Sequence, residues 1–275
     1  MHRKPLMMRG LDAERMKFKD HFSAQAADYA KFRPGYPREL FDYLGSVAPS
    51  RQLAWDCGTG NGQAAVALAS VFDRVIATDA SERQITNAEP HERVEYRVAP
   101  AESSGIESET LDLIVVAQAL HWFDLDRFYA EARRVLKVNG VLAASAYNLL
   151  HIEPAIDEIV SRYYYEVVGS FWPPERKLIE QFANLPFPFD EIDAPKFEMT
   201  AQWSLEHLLG YLRTWSSTQR FIAAKDTDPL DQITDALRAA WGPPEQIRNA
   251  VWPLTSRVGV KQGAAVSSPP SNRSG

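Results

Sequence analysis

The chain has 275 residues, a 45% apolar share and a formal charge of −6. These suit a globular protein with a real core and leave no basic footprint for nucleic acid. Cys57 is the only cysteine, which excludes an intrachain disulfide and makes the cytoplasm the expected compartment. The longest apolar stretch, around Leu113 to Ala117, is far shorter than the roughly 20 residues of a membrane-spanning helix, and Leu6-Met7-Met8 is too short for a signal-peptide core.

Residues 1–16 are charged and lack periodicity, so they are expected to form a flexible segment, and 259–275 a polar, disordered tail. Between them 17–258 reads as one domain. From Phe22 through Tyr29 to Phe32 aromatic residues recur near helical spacing, until Arg33-Pro34-Gly35-Tyr36-Pro37 breaks the pattern and Leu40 to Leu44 begins another helix. Strand and helix signals then alternate: Leu53 to Asp56, Ala64 to Val71, Arg74 to Thr78, Glu82 to Ala88, Val94 to Val98, Leu113 to Ala117, Leu125 to Leu136 and Val141 to Ala146. Such alternation predicts an α/β fold, a doubly wound, mostly parallel sheet with helices on both faces. Right-handed crossovers place every carboxyl end on one edge, and with them Asp56, Asp79, Ala101 and Gln118.

After Tyr147 the pattern changes to aromatic-rich helices over Ile152 to Val168 and Leu178 to Phe182, which reads as a helical insertion of about 150–190 following a cofactor-binding half of about 17–148. Phe197 to Trp203 alternates like a strand, Leu205 to Ser216 and Pro229 to Trp241 look helical, and Ala250 to Val258 reads as a last strand, giving a final unit of about 194–258.

The sharpest local signal lies where Trp55-Asp56-Cys57 runs into Gly58-Thr59-Gly60-Asn61-Gly62. Glycines there let main-chain N–H groups approach a ligand that a Cβ would repel, and the turn opens a helix with unpartnered N–H groups. Asp79 ends the next strand, where a carboxylate accepts hydrogen bonds from ribose hydroxyls. The spacing is G-x-G-x-G rather than the dinucleotide G-x-G-x-x-G, and Asp56 just before it disfavours a pyrophosphate but tolerates a sulfonium and an amino group. S-adenosylmethionine is therefore preferred over a nicotinamide dinucleotide. The competing account is a plain strand-to-helix turn.

These residues resemble the class I S-adenosylmethionine-dependent methyltransferases, within them the small-molecule branch of trans-aconitate methyltransferase-like (type 11) proteins. The resemblance runs from about Phe22 to about Val260. Besides the loop it is carried by Ala101-Glu102, by Gln118-Ala119-Leu120-His121-Trp122-Phe123-Asp124, and by Arg134-Val135-Leu136-Lys137-Val138-Asn139-Gly140-Val141. Pro100 departs from relatives that carry an acid there. The resemblance implies a seven-stranded sheet with its last strand antiparallel. It also implies a cofactor site of Phe22 and Tyr29 as a lid, Asp56, Gly58, Thr59, Gly60, Asn61, Gly62, Asp79, Ala80, Ala101, Glu102, Gln118 and Ala119. His121 and Trp122 fall beside the expected methyl group, His121 as base or as positioning group.

For the acceptor, Arg33, Tyr147, Trp172, Arg213 and Trp215 are candidates, the arginines because their fork pairs with a carboxylate. Core packing or a surface location is the alternative for each, and also for Asn148, His151 and Tyr163, Tyr164 and Tyr165. His121, His151 and Cys57 show no metal-ligand spacing. The expectation is therefore an EC 2.1.1 methyltransferase acting on a small molecule at an oxygen, with no metal, nucleic acid or membrane partner, as a monomer or weak homodimer. A nicotinamide-dependent oxidoreductase and a catalytically silent nucleoside-binding protein are the rival readings.

Overall fold

The structure, a computed structural model, describes residues 34–263. Phe22, Tyr29 and Arg33, expected at the site, lie outside the described residues. The chain opens with helix α1 (Arg38–Val47) and then builds β1 (Leu53–Cys57), α2 (Gln63–Leu68), β2 (Arg74–Asp79), α3 (Glu82–Thr86), β3 (Val94–Val98), β4 (Leu111–Ala117), α4 (Leu125–Val135) and β5 (Leu136–Tyr147). The strands β3, β2, β1, β4 and β5 lie side by side in that order, and each pair is parallel.

Alternating side chains on these strands feed two cores. Ala54, Val75, Ala77, Leu113, Val115, Val141 and Ala143 meet Leu40, Phe41 and Leu44 of α1 and Ala64, Ala65 and Leu68 of α2. Trp55, Ile76, Ile114, Val116, Leu142 and Ala144 meet Phe128, Ala132 and Val135 of α4 on the opposite face. The central β4 is consequently apolar at nearly every position, as expected of a strand covered on both sides.

Past β5 the chain forms α5 (Pro154–Arg162), a π turn (Tyr163–Val167), a short 3-10 turn (Gly169–Phe171), α6 (Arg176–Glu180) and a second 3-10 turn (Phe182–Asn184). Ile156, Val160, Tyr163, Tyr164 and Val168 pack in the first core, whereas Ile179, Phe182, Leu185 and Phe189 pack in the second. The segment thus crosses from one face of the sheet to the other. Its crossing point is the carboxyl edge of β4 and β5: Arg176 bonds Asn148, the residue after β5, and α6 packs on the Leu120–Trp122 turn after β4.

The chain then adds β6 (Asp190–Ile192), β7 (Phe197–Trp203), α7 (Leu205–Arg213), α8 (Ser216–Lys225), α9 (Thr234–Trp241) and β8 (Arg248–Val260). β8 runs antiparallel to β5, as expected. The sheet has eight strands rather than seven, for a local reason. Val260 pairs with both Val141 and Asp190, and Leu254 with both Tyr147 and Phe197, so β6 and β7 follow one another along the outer edge of β8. β7 is the strand expected over Phe197 to Trp203 and β6 is an added one, separated from it by a stretch where Pro195 has no N–H to donate to a ladder. The helix expected over Leu205 to Ser216 ends at Arg213, and after Thr214 and Trp215 a further helix, α8, follows that was not expected.

Candidate active site

The carboxyl edge of the sheet gathers the residues that the sequence singles out. Gly58, Gly60 and Gly62 have φ of 74°, 56° and 90°, a region that disfavours any side chain. A Cβ on Gly58 would meet that of Ala119 at 2.6 Å, and one on Gly62 would meet the Tyr96 hydroxyl at 2.3 Å, whereas beside Gly60 the space is open. The loop is pinned from β2: the N–H groups of Gly58 and Thr59 both donate to the Thr78 carbonyl at 2.9 Å, and Asn61 accepts from the Glu89 N–H.

Two carboxylates flank this loop. Asp79 accepts from the Gly60 N–H at 3.0 Å on one oxygen and from the Ser81 N–H at 2.8 Å on the other, so it fixes both the glycine loop and the turn containing Ala80. Asp56 is 0% exposed. One of its oxygens accepts from the Thr59 hydroxyl at 2.5 Å, while Oδ1 has no hydrogen-bond partner. Burial, reinforced by the nearby charge of Asp79, pushes the Asp56 carboxyl up to about 7 against the pull of the Thr59 hydroxyl and the Ala65 amide.

Along the same edge Ala101 is buried and Glu102 accepts from the Asp124 N–H at 2.9 Å, which ties the β3 loop to the start of α4. Gln118, expected to meet the cofactor, adopts φ 57° and spends its side chain elsewhere. Its amide donates to the Tyr147 carbonyl at 3.1 Å and accepts from the Tyr147 N–H at 2.8 Å, so it clasps the ends of β4 and β5 like a further rung of the ladder. His121 is 8% exposed, with its ring 4.6 Å from that of Trp122, which is exposed. Burial, with the charge of Arg176 added, pushes His121 down to about 3, and no described residue hydrogen-bonds its ring.

The acceptor-side expectations are partly corrected. Arg213 is 55% exposed and gives its fork to Asp228, with Nη2 at 2.6 Å. An arginine aimed at a surface aspartate is not a clamp in the cleft. Trp215 is buried against Tyr163, Tyr164, Trp172 and Tyr211, a core position. His151 stands on the surface beside Asp157. Trp172, by contrast, lies under the guanidinium carbon of Arg176 at 4.8 Å, and Arg176 also takes Asn148 and the Tyr164 hydroxyl as partners. Arg176 was not legible in advance: in Pro173-Pro174-Glu175-Arg176-Lys177 nothing local separates it from an ordinary solvated charge. Among the described residues no group of three His, Cys, Asp or Glu could hold a metal, and no helix is long and apolar enough to cross a membrane.

Comparison with known proteins assigns this edge. Residues 55–144 match the family described as a methyltransferase domain. A protein of Dictyostelium discoideum designated a methyltransferase is 38% identical over 230 residues, covering 82% of this chain and 88% of its own. The chain belongs to the class I S-adenosylmethionine-dependent methyltransferases. The solved structure of a protein from Anaeromyxobacter dehalogenans designated a type II methyltransferase is 46% identical, with a TM-score of 0.80 over 84% of this chain and 99% of that one. A methyltransferase of Mycobacterium tuberculosis designated uncharacterized is 27% identical over 220 residues, covering 78% of this chain and 85% of its own. This methyltransferase accordingly uses S-adenosylmethionine as cofactor, and neither the nicotinamide reading nor the silent-binding reading is favoured. The three designations name no acceptor.

Proposed function

We propose that the enzyme methylates an oxygen of a small-molecule acceptor. The observation that carries this reading is the crossing segment of residues 154–189, which packs over the turn after β4 and bonds the residue after β5, beside His121 and Trp122.

The described residues fit the cofactor on two observations: the partnerless Oδ1 of buried Asp56, and the open space beside Gly60 in an otherwise crowded loop. Asp79 would accept the ribose hydroxyls, with lone pairs remaining beside its two backbone bonds. Asp56 and the Gly58–Gly62 loop, with Thr59 and Asn61, would hold the cationic end, and Ala80, Ala101, Glu102 and Ala119 would border the nucleoside. When bound, S-adenosylmethionine supplies a methyl carbon whose bond to sulfur breaks as an acceptor oxygen's lone pair forms the new bond, leaving S-adenosylhomocysteine.

The protein's own contribution is mostly position. Alignment of reacting groups is worth roughly 7–11 kcal/mol, against about 10²- to 10⁴-fold for one acid or base. Burial holds His121 neutral by pushing it down to about 3, so its ring can orient a hydroxyl but is a weak base, and a carboxylate acceptor needs no base at all. Transfer of labelled methyl from S-adenosylmethionine to a panel of small acids, phenols, alcohols and amines tests the reading. Labelled oxygen-methyl products are expected, and product from amines alone, or from none of the panel, overturns it.

A further inference from the structure

We propose that Arg176 anchors the methyl acceptor by binding a carboxylate through the edge of its guanidinium left open beside the Leu120–Trp122 turn. The proposal rests on the small-acceptor reading above and adds the chemistry by which that acceptor is chosen.

Three observations lead there. First, the guanidinium is built in place by neutral groups. Its Nε donates to the Tyr164 hydroxyl at 2.8 Å, its Nη2 donates to Asn148 Oδ1 at 2.9 Å, and its carbon lies 4.8 Å from the centre of the Trp172 ring. The supports are themselves fixed: the Trp172 indole donates to the Tyr164 carbonyl and packs on buried Trp215. Second, the charge has no carboxylate within ion-pair distance among the described residues. Only two of the five N–H donors of an arginine are spent. No carboxylate among the described residues pairs with it, and Glu180 reaches the Tyr164 hydroxyl instead, at 3.2 Å. Two other partly buried arginines are treated differently, since Arg248 pairs with Glu153 and Arg257 with Glu191. A half-buried charge without a partner is costly, and a rigid one invites an anion. Third, the position is right. Asn148 directly follows β5 and α6 packs on the turn after β4, so Arg176 stands at the carboxyl edge of these two strands, on the side of His121 and Trp122.

The chemistry narrows the anion. His121 stays neutral beside the arginine and brings no second charge, so one cation meets one anion, which matches a planar carboxylate better than a phosphate dianion. The group bound by Arg176 is also not the one that attacks. A guanidinium hydrogen-bonded to the reacting oxygen would withdraw the electron density that forms the new bond. The acceptor is therefore bifunctional, with one carboxylate held by Arg176 and a second oxygen presented for methylation.

The test compares hydroxy acids and dicarboxylates with their primary amides as acceptors of labelled methyl, using the full chain and the variants R176Q and R176K. For the wild type, acids are expected to be preferred. R176Q should raise KM for acids by about 10-fold or more while leaving kcat within about threefold and KM for amides unchanged. R176K, which keeps the charge but not the fork, should fall between and serves if R176Q does not fold. Affinity for S-adenosylhomocysteine should not move in either variant. Equal handling of acids and amides by the wild type, or unchanged KM for acids in both variants, overturns the proposal. If no acceptor of the panel yields product, the small-acceptor reading fails. The melting shift of the S-adenosylhomocysteine complex with the same acids then decides alone: a shift lost in the variants supports the anion site, and no shift in the wild type overturns it.

Discussion

Asp112 and Asp56 sit at opposite ends of the same sheet, both with 0% exposure, and the protein treats them in opposite ways. At the amino edge Asp112 receives Lys137 at 2.7 Å and the N–H groups of Gln52 and Leu53 at 3.1 and 3.0 Å. Burial pushes its carboxyl up, but Lys137 and the Leu53 amide outweigh that and hold it below the ordinary range. At the carboxyl edge Asp56 has the Thr59 hydroxyl, a weaker pull from the Ala65 amide, an Oδ1 with no hydrogen bond of good geometry and a neighbouring negative charge, and its carboxyl rises to about 7. The first aspartate is satisfied by the fold. The second is left wanting a partner, and the place where a fold tolerates that cost is the place where a ligand completes it.

Breaking the satisfied site should cost the most stability. Asp112→Ala strands the Lys137 ammonium and two backbone amides, and a loss of about 3 kcal/mol in chemical denaturation is expected, with the affinity of the folded enzyme for S-adenosylhomocysteine retained. A loss well under 1 kcal/mol would mean that the amino edge is not held by this carboxylate.

Asp79→Ala acts on the other side of the contrast. Cofactor affinity measured by calorimetry should fall by roughly 100-fold, because two charge-assisted hydrogen bonds are removed, and the melting point should drop modestly as Gly60 and Ser81 lose their acceptor. Near wild-type affinity would remove the ribose role.

The effects of pH have opposite signs at the two aspartates. The carboxyl of Asp56 holds its proton to about 7 when folded but only to about 4 when unfolded, so between those values the folded state binds more protons and stability falls as pH rises. Asp112 is depressed, so its contribution is present above about 4 and lost as pH falls further. Asp56→Asn should flatten the first trend in a series of melting curves and leave the second. A slope between pH 4 and 7 that survives the substitution would assign it to another group. His121, pushed to about 3, should add no inflection to turnover between pH 5 and 8, and His121→Ala should lower turnover more than cofactor affinity.

How much of this was legible beforehand follows from what holds each part. The glycine loop, Asp56 and Asp79 are written in residue types because their geometry is local: positive φ selects glycine, and a strand end presents the next residue to the edge. The parallel sheet with its carboxyl ends on one edge follows from alternation and handedness, whereas the order of its strands does not. The acceptor side obeys no such code. Arg176 gains its meaning only when Tyr164, Trp172 and Asn148, up to 28 residues away in sequence, are folded around it. Arg213 and Trp215 looked equally eligible until the fold supplied Asp228 to one and an aromatic core to the other. Strand β6 was missed because three residues, two of them acidic, carry too little alternation to signal.

That broken outer strand has a further consequence. A sheet rim with an uninterrupted row of free amides and carbonyls is a template on which another chain can zip up. Here the rim is cut by Pro195 and carries the exposed charges of Asp190, Glu191, Lys196 and Glu198. An incoming strand finds neither the length nor the neutrality it needs, so the feature that blurs the seven-strand count also guards this flank of the enzyme against clumping with its own copies.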